Sequence, residues 1–489
     1  MLELPFLRIL LLFHFLLSLS IALRVIYSRR SSSAALAWLT VLFAFPLLGV
    51  VAYLLIGEPR LGRARARRRA ELLAFHSAFA DRFLPPQTDP VCETRFRQIA
   101  HLVRADSGYV ATGGNQTRLL SDTDAILQAF IADIAAAQRT CLMAFYIVEG
   151  SGRVEAVLQA LMQAAARGVR CQLLADALGS ATFWRSGWPA RLRGAGVEVT
   201  RALPVGLLKS FWVRSDVRNH RKLLIVDYRV AYTGSYNLVD PALFKQNAGV
   251  GQWVDAVMRC EGLVAQELAA VFYGDWAVEN AHNLSATLEQ LAGYVEKVPP
   301  LVEPTTGGTL MQVIPSQPGG DAALVYDVIT NALNVAQETV VISTPYFVPD
   351  DALLNTLVMT ARRGVQVTLI VPRHVDSRLV RYASRTYYQP LLDAGVQLML
   401  FDGGLLHTKA VLIDDSFALF GTVNMDMRSF YLNLELSLAI YTPETVAGIS
   451  ALLARYLQDS HAPDLELWKK PRRIQRFIER CVRLVSPLL

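Results

Sequence analysis

His220-Arg221-Lys222-Leu223-Leu224-Ile225-Val226-Asp227 and His407-Thr408-Lys409-Ala410-Val411-Leu412-Ile413-Asp414 are one pattern written twice, 187 residues apart. A lysine stands two places after each histidine, four apolar residues follow, and an aspartate closes the run. Gly234-Ser235-Tyr236-Asn237 and Gly421-Thr422-Val423-Asn424 then repeat the offsets +15 and +17 from the histidine. A short apolar run between polar residues reads as a buried strand, and side chains along a strand alternate between its two faces. His220 and Lys222 therefore share one face, as do His407 and Lys409, whereas Asp227 and Asp414 point to the other. A lone His-x-Lys carries little information; two copies with four matching offsets each define a duplicated site.

The duplication extends upstream. In the first copy an apolar stretch over 142–148 ends at Phe145-Tyr146-Ile147-Val148, helical spacing over 154–166 stops at Arg167-Gly168-Val169, and a strand is expected over 171–175. In the second, 340–344 leads to Pro345-Tyr346-Phe347-Val348, helical spacing over 352–362 stops at Arg363-Gly364-Val365, and a strand is expected over 366–371. A glycine just past a helix and just before a β-branched run is a helix stop feeding a strand. The period is 200 residues at the tyrosines and 196 at the glycines, too long for a solenoid. The pattern predicts an α/β protein of two homologous domains packed as a pseudo-dimer, preceded by an N-terminal transmembrane hairpin. We expect a membrane anchor over 1–57, a basic juxtamembrane and polar connecting region over 58–115, and domains over 116–282 and 310–463. A linker over 283–309 containing Pro299-Pro300 joins them, and a basic tail occupies 464–489.

The net charge of +6 is unevenly held: residues 1–70 contribute +8 and residues 464–489 contribute +4, leaving −6 between them. A nucleic-acid enzyme spreads basic charge over its binding groove. Here it sits at the two ends, where a membrane protein meets anionic lipid, so nucleic acid is not expected as a partner. No charged residue lies between Ser31 and Gly57, and 34–56 is long enough for a bilayer crossing, which takes roughly 20 apolar residues. Trp38 and Tyr53 stand near opposite ends of that span, where their rings favour the two interfaces. The segment between Arg8 and Arg24 is shorter and carries His14; it either spans or lies in the interface. A cleaved signal peptide is disfavoured by the second apolar span that follows at once and by Glu3 near the start. Arg60, Arg63, Arg65, Arg67, Arg68 and Arg69 hold everything after residue 57 on the cytoplasmic side. At the other end, 474–487 places Ile474, Phe477, Ile478, Cys481, Val482 and Val485 on one helical face, the pattern of an interfacial helix. The five cysteines include no Cys-x-x-Cys pair and read as free core thiols.

Two imidazoles and two ammonium groups brought to one pocket suit a phosphodiester. The lysines would neutralise its non-bridging oxygens as charge builds in the transition state, and Ser235, Asn237, Thr422 and Asn424 would add neutral donors. One imidazole can attack phosphorus while the other protonates the leaving alkoxide and later deprotonates the incoming hydroxyl. A metal site is the competing reading, but a lysine beside each histidine repels a cation and no Asp/Glu/Cys cluster accompanies them; neither metal nor cofactor is expected. Asp227 and Asp414 enter the candidate catalytic set through the motif, although their parity turns them towards local backbone at the hairpin. Tyr146 and Tyr346 follow matched strands, at the pocket mouth or in the core. Among the remaining histidines only His374, just after an expected strand, invites attention.

The two His-x-Lys-x4-Asp elements with Gly-Ser/Thr-x-Asn resemble the signature of the phospholipase D superfamily. Asp240-Pro241, Phe244-Lys245-Gln246, Gly249-Val250-Gly251 and Trp253-Val254-Asp255 after the first motif are similar to bacterial cardiolipin synthases. So are Asn424-Met425-Asp426-Met427-Arg428-Ser429 and the Ser486-Pro487-Leu488-Leu489 end, and the likeness covers essentially the whole chain. The resemblance implies a phosphatidyltransferase that joins two phosphatidylglycerol molecules into cardiolipin, releasing glycerol through a phosphohistidine intermediate. It implies a multi-pass protein of the bacterial inner membrane with its catalytic body in the cytoplasm, among anionic lipids. It further implies His220 as nucleophile and His407 as acid then base, each oriented by a downstream carboxylate. Asp255 and Glu435 are the candidates, with the pairing left open. A phospholipase D-type hydrolase differs only in its acceptor, and exclusion of water decides between the two. A non-catalytic membrane adaptor is disfavoured because all eight motif side chains are present.

Overall fold

The computed structural model describes residues 3–27, 32–57, 93–204, 217–280, 308–318 and 324–464. The arginine run after residue 57, most of the expected linker and the amphipathic tail lie outside these residues.

The first domain carries β1 (Thr112–Leu120), β2 (Thr140–Phe145), β3 (Arg170–Asp176), β4 (Glu198–Ala202), β5 (Leu223–Val226), β6 (Val230–Gly234), β7 (Trp253–Val254) and β8 (Val257–Glu261). The second carries β9 (Thr309–Ser316), β10 (Thr339–Ser343), β11 (Phe347–Val348), β12 (Gln366–Pro372) and β13 (Gln397–Phe401). It continues with β14 (Leu405–Leu406), β15 (Ala410–Ile413), β16 (Phe417–Gly421), β17 (Met425–Asp426), β18 (Glu435–Ile440) and β19 (Ser460–His461). One 15-stranded sheet runs β19-β13-β12-β10-β15-β16-β18-β9-β1-β8-β6-β5-β2-β3-β4. Read outward from the antiparallel β9–β1 seam, the two halves repeat the same strand order, with β19 added at one edge. The duplication seen in the sequence is thus a pseudo-two-fold axis through the seam, and an α/β protein of two repeated domains is what forms.

Each half pairs its inner strands antiparallel and its outer three parallel. Such parallel strands are covered on both faces and therefore read as continuous apolar runs, as in the wholly buried β2. The crossovers β2–β3 and β10–β12 are the helices Val154–Ala166 and Asp351–Arg362, close to the expected spans. Gly168 and Gly364, at φ +90° and +97°, are the left-handed residues that end them.

Beneath the seam, the helices Leu263–Glu279 and Pro443–Gln458 share one apolar cluster, in which Leu268 and Phe272 join Leu452, Leu436 and Phe420. The two domains therefore share a core. The helix Thr94–Ser107 corrects the reading of 58–115 as merely connecting. Its Phe96, Ile99, Ala100 and Val103 form an i, i+3, i+4, i+7 stripe buried in the second domain's core, with Phe96 stacked on Phe417 at 4.9 Å.

The segment expected to anchor the chain in a membrane also departs from expectation. The 34–56 span is not one helix but two, α2 (Ser32–Ala44) and α3 (Pro46–Ile56), following α1 (Glu3–Tyr27). Phe45, at φ −131° and ψ 73°, breaks the helix, and Pro46 opens the next one, a position that suits proline because its missing N–H is an orphan there. Trp38 and Tyr53 pack edge-to-face with ring centroids 5.2 Å apart, so the two helices fold back on each other. Among the described residues no helix is long and apolar enough to cross a membrane.

Candidate active site

Both histidines enter the seam on matched main-chain bonds. His220 N donates to Leu434 O at 2.9 Å, and His407 N donates to Val254 O at 2.8 Å. Leu434 and Val254 each precede a carboxylate, Glu435 and Asp255. The same registration brings each imidazole to the carboxylate of the opposite domain: His220 Nδ1 lies 2.8 Å from Glu435 Oε2, and His407 Nδ1 lies 2.6 Å from Asp255 Oδ1. Parallel pairing of β14 with β7 and the Asn219–Leu434 bridge hold this exchange in place. The pairing that the sequence left open is therefore crossed. A carboxylate on Nδ1 fixes the tautomer, so that Nε2 is the reactive edge of each ring.

All these groups are buried between the domains, and burial dominates their titration. It pulls both imidazoles from 6.5 to about 4, with the neighbouring lysines lowering them and the partner carboxylates opposing. Burial likewise lowers Lys222 to about 7 and Lys409 well below its ordinary value. Glu435 and Asp255 are lowered although burial opposes it, because His220 and Lys222 act on the first and His407 and Lys409 on the second. Burial thus favours neutral imidazoles here, beside two ionised carboxylates and two lysines that hold their protons weakly. A phosphate monoanion would raise the proton affinity of the rings and lysines beside it. Lys222 Nζ donates to His220 O at 2.7 Å, and Lys409 Nζ donates to His407 O. Each ammonium has three donors and so keeps protons for an entering anion.

The remaining motif residues divide. Thr422 Oγ1 donates to Glu435 Oε2 and accepts from Leu436 N at 2.9 Å. Ser235 Oγ accepts from Ala256 N at 3.0 Å and helps to lower Asp255. Thr422 thus braces an orienting carboxylate directly, and Ser235 braces the backbone next to the other. Asn237 Oδ1 accepts from Ile147 N at 3.2 Å, leaving the donor Nδ2 buried without a partner; at Asn424 it is the acceptor Oδ1 that is buried without one.

Asp227 and Asp414 do not join the pocket. Asp227 accepts from the backbone N–H groups of Gln138, Arg139 and Thr140 at 2.7–2.8 Å, and Asp414 from those of Gln337, Glu338 and Thr339 at the same distances. Both sit at left-handed φ, +50° and +48°, in the tight turn that joins the motif strand to the next. That conformation is costly for a side-chain-bearing residue, and three charge-assisted bonds offset the cost. Asp414 also pairs with Arg95 of the Thr94–Ser107 helix.

Further side chains frame the site; the matched tyrosines were expected near it, the others were not. Trp253 packs on His407 at 4.3 Å and Tyr146 on His220 at 5.0 Å between ring centroids, and Trp253 Nε1 is buried without a partner. Arg221, between His220 and Lys222 but on the opposite face, bonds Asp275 at 2.5 Å, Glu435 O at 3.0 Å and Ser316 O at 3.3 Å, stitching the domains together behind the pocket. Asp176 accepts from Asn219 N at 3.0 Å and pairs with Arg218 at 3.3 Å, fixing the approach to His220. Tyr346 Oη donates to Asp376 at 2.7 Å, and Asp376 pairs with Lys245 across the domains. His374 is exposed. Among the described residues no group of His, Cys, Asp and Glu is arranged to hold a metal, and Cys141, Cys171 and Cys260 are buried free thiols.

Comparison with known proteins places this arrangement. The family described as cardiolipin synthase, PLD-like domain, matches residues 130–276 and 329–457, one segment per domain. A phospholipase D-nuclease N-terminal family matches 16–58. Cardiolipin synthase A of Erwinia tasmaniensis and that of Klebsiella pneumoniae are each 40% identical over 487 residues, covering 97% of both chains. In fold alone, the crystal structure of phosphatidylserine synthase from Haemophilus influenzae aligns over 80% of this chain and 100% of its own, with TM-score 0.59 and 14% identity. The chain belongs to the cardiolipin synthase family built on paired phospholipase D-like domains.

Proposed function

We propose that the chain is a phosphatidyltransferase that makes cardiolipin and glycerol from two molecules of phosphatidylglycerol. The observation that carries this reading is the crossed pair His220–Glu435 and His407–Asp255, with a buried lysine beside each ring. In the first step Nε2 of His220 attacks phosphorus. The bond from phosphorus to the headgroup glycerol breaks, and His407 gives its Nε2 proton to the departing alkoxide. In the second step His407 takes the proton from the terminal hydroxyl of another phosphatidylglycerol. That oxygen attacks phosphorus and the P–N bond breaks, leaving both histidines as they began. Lys222 and Lys409 hold the non-bridging oxygens, and the Asn237 and Asn424 amides add neutral contacts. Proton transfer at His407 requires that ring to be protonated when the donor is bound, which the phosphate charge favours.

Residues 1–57 hold the enzyme at the bacterial inner membrane, with the catalytic body on the cytoplasmic side where the arginines after residue 57 meet anionic lipid. Incubating the purified protein with headgroup-labelled phosphatidylglycerol in mixed micelles tests the reaction. Cardiolipin and free glycerol in equal amounts are expected. Phosphatidic acid and glycerol without cardiolipin would make the enzyme a hydrolase instead.

A further inference from the structure

We infer that α2 and α3 form a re-entrant hairpin that enters the membrane from the cytoplasmic face and returns to it, rather than crossing. Three observations converge on this. Trp38 and Tyr53 lie seven and eight residues either side of Phe45, yet their rings are 5.2 Å apart. In one continuous helix the intervening 15 residues would separate them by about 22 Å. Gly49 is pressed onto the other arm: a Cβ there would lie 2.5 Å from Val41 O and 2.9 Å from Leu42 Cα, whereas eight residues of straight helix would hold the two about 12 Å apart. Finally, the inner surface is a packed cluster in which Leu42, Val50, Trp38 and Tyr53 meet Ile21 and Val25 of α1.

The outer surface says what covers it. Phe43, Phe45, Leu47 and Leu48 at the tip are 60–72% exposed, and neither arm carries a charge. Arms of 13 and 11 residues reach about 16–20 Å, roughly to the middle of a hydrocarbon core about 30 Å thick. An exposed apolar tip marks a contact surface, and two arms without a single charge favour lipid as what covers it. The flanking charge fits the same topology. Arg24, Arg29 and Arg30 precede the hairpin, and the six arginines from Arg60 to Arg69 follow it. A single crossing would leave three arginines on the outer side; a re-entrant hairpin keeps all nine on the anionic cytoplasmic face, which the positive-inside bias favours.

The inference rests on the chain being a membrane enzyme, and its test does not depend on which reaction it catalyses. Full-length protein with Cys92→Ser and Cys481→Ser, which leaves Cys141, Cys171 and Cys260 buried, receives Ser31→Cys or Leu61→Cys. Each variant is labelled with an impermeant maleimide in right-side-out and in inverted membrane vesicles. Both positions are expected to react in inverted vesicles only; reaction of the two from opposite faces would overturn the proposal. Independently, Leu39→Cys with Ala52→Cys, partly buried positions next to the Trp38–Tyr53 contact, is expected to be bridged within one chain by a short bis-maleimide in membranes. A straight span would leave them unbridged. Recovery of the protein in the soluble fraction would instead contradict the membrane assignment itself.

Discussion

Glu435 Oε2 stands 2.8 Å from Nδ1 of His220, on the far side of the domain seam. Because Asp255 serves His407 in the same crossed fashion, neither domain holds a complete catalytic pair. Chemistry and domain packing are therefore one property.

Glu435→Gln and Asp255→Asn should each cut turnover by about 10²–10⁴-fold, the scale on which loss of an orienting carboxylate acts. They should do so unequally by step. With a donor carrying a p-nitrophenyl leaving group, which needs no proton, Asp255→Asn should recover much of its first-step rate. Glu435→Gln should not, because its nucleophile is misaligned. Burst kinetics of p-nitrophenol release measure this, and equal recovery in both variants would contradict the crossed assignment.

Arg221→Ala removes a guanidinium that neutralises buried Asp275 and bonds carbonyls of the second domain. Breaking one partner of a buried pair costs about 3–5 kcal/mol, so urea unfolding of the detergent-solubilised protein should shift by that order. A loss under 1 kcal/mol would mean that the seam does not depend on this contact.

Asp227→Asn should lower stability by about 1–3 kcal/mol, through weakened capping of the Gln138–Thr140 amides. Turnover per folded molecule should change little. Thermal denaturation together with active-site titration separates the two, and a large turnover defect at unchanged stability would return Asp227 to the catalytic set.

Stability should also fall on mild acidification. Burial holds His220 and His407 at about 4 against 6.5 when exposed. The unfolded chain therefore binds two protons near pH 6.5 that the folded chain refuses until about pH 4. This contribution is complete above pH 6.5 and is lost as the pH falls from 6.5 towards 4. The melting temperature of the wild type should drop across that window, and His407→Gln should flatten the drop. A variant with the same slope as wild type would show that His407 does not titrate in this way.

Much of the site was legible because strand geometry makes a motif informative. The +2 spacing put His and Lys on one face, and the +7 parity sent Asp227 and Asp414 to the turn, where they bind backbone. What stayed hidden depends on how the two halves dock. The His220–Glu435 partnership spans 215 residues, and no local pattern distinguishes it from a same-domain pairing. Position alone could not reveal that Thr422 bonds Glu435. The anchor misled for a different reason. Hydropathy counts apolar residues over 34–56 without regard to the single break at Phe45–Pro46, which decides whether the arms continue or turn back. The helix Thr94–Ser107 was hidden by its mean polarity, since only its four-residue stripe is buried.

In this mechanism one histidine carries the phosphatidyl group while the other moves protons. Acid-quench trapping of a labelled enzyme adduct, using a p-nitrophenyl phosphodiester lipid, tests it most directly. No adduct is expected on His220→Ala, and on His407→Ala an adduct that forms and then persists because no base activates the second hydroxyl. An adduct on His220→Ala with none on His407→Ala would contradict the assignment of roles.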